Sequence, residues 1–208
     1  MKKFLLLCFS ICLIISSGAY AQDNQNEKKS EDDQKSVRVC IKVGGQISGV
    51  RQIHDTSKKR IPGLALGGFV QIHLKQYDGL NFYFTPELLY SQEGEKRKDR
   101  KSDQKLNFYQ DYLALPLMLK GYFLNNDLMY IEFGPRLSYM INYENKSKDL
   151  DEAKEFDFAL SIGGGLSLGK NNNIEIGGRL NWGLLDMYPD IPKTNYNGSA
   201  TISVAYLF

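Results

Sequence analysis

From Val37 to the end of the chain, apolar and polar residues alternate, and the alternation breaks at intervals. A period of two is the pattern of a strand whose two faces meet two different environments. Eight such stretches can be read. In the first, Val37 to Ser48, Val37, Val39, Ile41, Val43 and Ile47 oppose Arg38, Cys40, Lys42, Gly44 and Gln46. In the second, Gly63 to Leu74, Leu64, Leu66, Val70, Ile72 and Leu74 oppose Ala65, Gly67, Phe69, Gln71 and His73. The third, Leu80 to Ser91, sets Phe82, Phe84, Pro86, Leu88 and Tyr90 against Asn81, Tyr83, Thr85 and Glu87. The fourth runs from Tyr112 to Phe123 and the fifth from Leu128 to Ile141. The sixth carries Phe158, Leu160, Ile162, Leu166 and Leu168 on one face, and the seventh carries Ile174, Ile176, Leu180, Trp182 and Leu184. The eighth is Ser199 to Phe208. No segment keeps a 3.6-residue period over two or more turns, so the pattern predicts an all-β chain.

The breaks between stretches are unequal in a regular way. The second, fourth and sixth are short ("KQYDG", "LNND", "KNNN"). The others, Gly49 to Pro62, Gln92 to Lys105, Asn142 to Phe156 and Leu185 to Asn197, are long and polar. Short turns alternating with long loops place every long loop at one end. An even number of strands with this asymmetry is how outer-membrane barrels are built, with short periplasmic turns and longer outer loops. The pattern therefore predicts an eight-stranded antiparallel up-and-down transmembrane β-barrel over 37–208.

Face composition sets the orientation. Charges of both signs share the polar face: Arg38, Lys42, Lys120, Arg136 and Arg179 with Glu87, Glu132, Asp157 and Glu175. That face also carries many small residues, among them Gly44, Gly67, Gly134, Gly163, Gly165, Gly177 and Ser161, which suit a crowded concave interior. The apolar face is aromatic at both ends. Tyr90, Tyr139, Phe158 and Trp182 fall near the outer interface, and Phe82, Phe123, Tyr206 and Phe208 near the inner one. Two aromatic girdles around an aliphatic belt place this face in lipid. The nine charged residues are then predicted to form a paired network inside the barrel, because an isolated charge is very costly away from water.

The N-terminus agrees with export. Lys2 and Lys3 precede an apolar run from Phe4 to Ile15, and Ala19-Tyr20-Ala21 is a small-x-small cleavage site. Residues 1–21 read as a signal peptide. The run is too short to span a bilayer as a helix, which takes about 20 residues. Residues 22–36 carry no apolar side chain until the alternation starts, and read as a flexible polar tail. Losing Lys2 and Lys3 from the 26 bases leaves 24, which matches the 24 acids. A neutral mature chain gives no support to nucleic acid as a partner. Only Cys40 survives processing, so no intrachain disulfide can form.

Three stretches resemble the PorT-like outer-membrane β-barrel family: Pro86-Glu87-Leu88-Leu89-Tyr90-Ser91-Gln92, Tyr112 to Lys120, and Glu132 to Tyr139. "GGRLNWGLLDM" and the closing "ISVAYLF" resemble its last two strands. The resemblance covers nearly all of 37–208 and implies the same barrel. It also implies an accessory role in protein export through the outer membrane, as for the family's namesake. In one departure, the fourth-strand glutamate usual in the family is Ala114 here.

Catalytic chemistry finds little to stand on. His54, Asp55 and Ser57 lie together in the first outer loop and have the residue types that barrel acyltransferases use to attack lipid, with histidine as the base that activates a hydroxyl. Neighbours along a loop do not make a triad, which is defined by geometry. No His, Cys and carboxylate grouping has metal-ligand spacing, and no cofactor motif is present. The basic run Glu95 to Lys101 in the second outer loop could meet lipopolysaccharide phosphates or remain a solvated loop tip. The expected protein is a small non-enzymatic outer-membrane barrel with a structural, adhesive or export-accessory role. Its expected partners are membrane lipid, lipopolysaccharide and other envelope or secretion proteins. Two alternatives stand beside this: a barrel enzyme acting on lipid, and a secreted lipocalin-like barrel with its apolar face inward.

Overall fold

The computed structural model describes residues 37–52, 59–78, 80–98, 105–124, 127–144, 155–169, 171–186 and 195–208. Among them are eight strands: β1 (Val37–Gln52), β2 (Lys59–Tyr77), β3 (Leu80–Lys98), β4 (Lys105–Phe123), β5 (Met129–Glu144), β6 (Phe156–Leu168), β7 (Ile174–Asp186) and β8 (Asn195–Leu207). Each pairs with its neighbours in sequence, and β8 returns antiparallel to β1, so the sheet closes on itself. Closure leaves no unpaired edge, which is the condition for a sheet to cross a membrane. The signal peptide and the polar tail read over 1–36, like His54, Asp55 and Ser57, lie outside the described residues.

Side chains follow the alternation. On the outer surface, Val39, Val43, Leu64, Phe133, Ile162, Leu180, Trp182 and Ile202 are exposed, the last at 73 %. So continuous an apolar exterior would be insoluble in water and fits hydrocarbon. Polar residues turn inward: Gln46, Gln71, Glu87, Lys120, Glu132, Arg136 and Arg179 are all buried. This is the reverse of a lipocalin.

The strands are longer than the alternation predicts. β3 continues to Lys98 and β4 begins at Lys105, so most of the stretch read as a loop from Gln92 to Lys105 is ladder. β1 likewise reaches Gln52, β2 starts at Lys59 and β8 at Asn195. A strand is sustained by backbone pairing with its neighbour. Once both faces leave the membrane the pairing persists while the hydrophobic signal ends.

The inner turns are tight. Asp78, Asp127 and Asn172 adopt positive φ (49°, 55° and 51°), which short Asx side chains tolerate. Leu124 does so too (φ 69°), in the turn closed by the Asp127 amide donating to the Leu124 carbonyl at 3.2 Å. Asn81 donates from Nδ2 to both Asp127 carboxylate oxygens at 3.0 Å, tying the start of β3 to this turn. Gly177 shows why small residues line the interior: a Cβ there would collide with the Tyr130 hydroxyl, which also lies 2.8 Å from a Cβ placed on Gly165. Each glycine doublet, however, sends one member outward. Gly45, Gly68 and Gly178 take outward positions of the alternation, so the small residues do not all belong to the inner face.

Candidate functional site

The candidate site is the barrel interior, and it is built by strand parity. Every second residue of eight tilted strands points at one axis, so residues far apart in sequence meet. At mid-height Arg179 of β7 donates from Nη1 to Glu87 Oε2 at 2.7 Å and from Nη2 to Glu87 Oε1 at 2.8 Å. The same guanidinium reaches Glu132 Oε1 from Nε at 2.8 Å and from Nη2 at 2.6 Å. Lys42 of β1 approaches Glu87 from the other side at 2.8 Å. One arginine thus bridges two carboxylates and holds Glu87 through two parallel bonds, a pairing its planar fork permits and a lysine ammonium does not.

Towards the inner rim, Lys120 of β4 is fully buried. It pairs with Glu175 at 2.8 Å and lies 3.8 Å from Glu132. Its ammonium sits 4.4 Å from the Tyr130 ring centroid and 5.0 Å from that of Phe69, so aromatic faces supply part of the solvation lost on burial. Tyr122 donates its hydroxyl to Glu175 and accepts from Gln71 Nε2 at 2.6 Å. Below this, Arg38 lies over the Tyr83 ring (5.8 Å), and His73 packs edge-on against the same ring at 5.0 Å. Cys40, 1 % exposed, packs with Phe69, Ala205 and Leu207.

Nearer the outer rim a second cluster forms. Arg136 of β5 donates to Glu93 Oε1 at 2.6 Å and to Ser91 Oγ at 3.1 Å. Glu93 Oε2 accepts from Asn197 at 2.6 Å, and Ser91 accepts from Gln46 at 2.9 Å. Asn181 links Ser161 and Ser199 at 2.6 and 2.9 Å. Asp157 is buried here, and its Oδ1 has no hydrogen-bond partner.

The structure brings Lys42, Glu87, Lys120, Glu132, Glu175 and Arg179 into one ion-paired group. It sets Arg136 apart with Glu93 and, among the described residues, gives Arg38 the ring and hydroxyl of Tyr83 rather than a carboxylate. Asp157 makes no ion pair among the described residues. Glu93 is the member that the sequence reading missed, because it lies in the stretch taken as a loop. Continuing the inward parity of Tyr83, Thr85, Glu87, Leu89 and Ser91 by one step would have found it. With Glu93 included, five interior bases face five interior acids among the described residues. The arrangement can neutralise itself, brace the wall from within and fill the lumen. Among the described residues, no group of three or more His, Cys, Asp or Glu could hold a metal ion.

Residues 20–188 match the family described as outer membrane protein beta-barrel domain. The chain belongs to that family. Its localisation is the outer membrane, and its lipid-facing girdle and polar lumen are what that location requires. Among solved structures the barrel is similar to Ail, the attachment invasion locus protein of Yersinia pestis (14 % identity, 83 % of this chain and 99 % of that one, TM-score 0.47). It is also similar to the outer membrane enzyme PagL (12 %, 79 % and 98 %, 0.48) and to OprG of Pseudomonas aeruginosa (12 %, 83 % and 96 %, 0.45). No curated protein matches the chain by sequence.

Proposed function

We propose that this barrel is a closed, non-enzymatic outer-membrane scaffold that acts through its outer loops and rim, with a structural, adhesive or export-accessory role. The observation that carries this reading is the ion-paired interior. An eight-stranded barrel has a lumen only wide enough for side chains, and here long charged side chains fill it from Arg38 to Arg136. A plugged lumen offers no path to solutes, which leaves the loops as the working surface. The PorT-like stretches at 86–92, 112–120 and 132–139 favour the export-accessory form of this role. The basic run from Glu95 to Lys101 favours an anionic neighbour such as lipopolysaccharide.

Two measurements test the reading. Purified barrel in planar bilayers is expected to give no stable, large open state; steady porin-sized conductance would refute the plugged scaffold. In the native host, deleting the gene is expected to lower the amount of exported protein. Restoring the chain with residues 95–101 changed to Gly and Ser should fail to rescue it, and full rescue would remove this basic segment from the role.

A further inference from the structure

The two zones of the interior are not separately neutral. Below and at mid-height, Arg38, Lys42, Lys120 and Arg179 face Glu87, Glu132 and Glu175. Near the outer rim, Arg136 alone faces Glu93 and Asp157. Among the described residues, the outer zone therefore holds one carboxylate more than its cations neutralise, and Arg136 is drawn to Glu93.

The surplus sits at one place. Ser138 of β5 and Asp157 of β6 are directly opposite each other in the ladder, both inward and each 2 % exposed. Side chains on such a rung stand about 5 Å apart at Cβ. Ser138 Oγ and Asp157 Oδ1 both lack a hydrogen-bond partner. On the next position of the same rung stands Ala114, whose methyl group offers nothing to Ser138.

We propose that Ser138 and Asp157 form a binding site for a small hard metal cation, reached from the outer end of the barrel. The donors are a carboxylate and a hydroxyl oxygen, with neither His nor Cys, which selects an ion of the sodium or calcium kind over zinc or copper. The charge sign is right, since a cation offsets the surplus carboxylate. The sealing of both side chains excludes a large organic cation. Asp157 is the second residue of β6, so the path to the outer rim is short.

The experiment follows thermal unfolding of the detergent-folded barrel, read from its heat-dependent gel mobility. Calcium chloride, sodium chloride and N-methylglucamine chloride are compared at equal ionic strength. One of the metal salts is expected to raise the midpoint above the N-methylglucamine value, and which one does so separates a divalent from a monovalent ligand. Asp157→Asn should abolish that rise. Without metal, it should be at least as stable as the parent, because it removes a buried charge that makes no ion pair among the described residues. Ser138→Ala should weaken half-saturation about tenfold, the scale on which polar groups around a metal act. If Asp157→Asn does not fold, Ser138→Ala decides alone, and unchanged half-saturation there overturns the site. So does a parent protein that responds to the metal salts no more than to N-methylglucamine, the outcome of a protonated Asp157 or a bridging water.

Discussion

Replacing Arg179 by methionine keeps an unbranched stem, removes the guanidinium and its charge, and leaves Glu87 and Glu132 without it. Arg179 makes four short hydrogen bonds to Glu87 and Glu132, and Glu87 Oε1 and Glu132 Oε1 both bond the same nitrogen at 2.8 and 2.6 Å. Two oxygens held by one nitrogen lie within about 5 Å of each other, and unscreened like charges at that separation repel by about 3 kcal/mol at an effective dielectric of 20. Lys42 still neutralises Glu87, while Lys120 at 3.8 Å from Glu132 is already committed to Glu175. The loss is therefore expected to reach about 3–5 kcal/mol, the range for removing one side of a buried pair. Urea unfolding of the lipid-reconstituted barrel measures it, followed by the single tryptophan, Trp182, which faces lipid three positions along the same strand. Adding Glu132→Gln to Arg179→Met should restore much of the loss, since the repulsion goes with that charge and Lys42 still pairs with Glu87. A single variant within about 1 kcal/mol of the parent, or a double variant no better than the single, would refute the reasoning.

Two further outcomes follow from the same interior and its seam. Gly177→Ala places a methyl group against the Tyr130 hydroxyl and should cost about 1–3 kcal/mol in the same urea titration; Tyr130→Phe should relieve most of that cost, and no relief would mean the clash lies elsewhere. Deleting Phe208 removes an amide that donates to Val39 at 3.0 Å and a ring packed on Tyr206 at 5.0 Å, so folded yield in membranes should fall; an unchanged yield of the heat-shifted band would show that the last residue plays no part in closure.

Parity was the legible part. Ile131 and Glu132 announce opposite faces by sequence alone, and a closed sheet of eight such strands needs nothing more than alternation and unequal breaks. What the sequence did not disclose depends on the third dimension. Pairing across the lumen joins Glu87 to Arg179, 92 residues apart, and no local pattern encodes that choice. Arg136 and Glu132 sit on one strand four residues apart, yet they serve different groups because strand tilt lifts one above the other. Glu93 was hidden by a different cause: past Ser91 the outward positions turn polar, so the alternation that marks a strand vanishes while the ladder goes on. Glycine doublets are ambiguous by nature, since neither member has a side chain to state its direction.

The seam between β1 and β8 has a bearing on how the chain is made. Its rungs run from Cys40 opposite Leu207 to Gln52 opposite Asn195, and Thr201 reaches Gln46 across 155 residues of sequence. The earliest strand to be synthesised is thus the last to gain its second neighbour. Until the final segment arrives, β1 carries a row of open backbone donors and acceptors, and such edges recruit other chains. Contacts of this separation also form slowly. The polypeptide must therefore cross the periplasm with that edge guarded, and a chain cut short by one strand has no smaller closed barrel to fall back on.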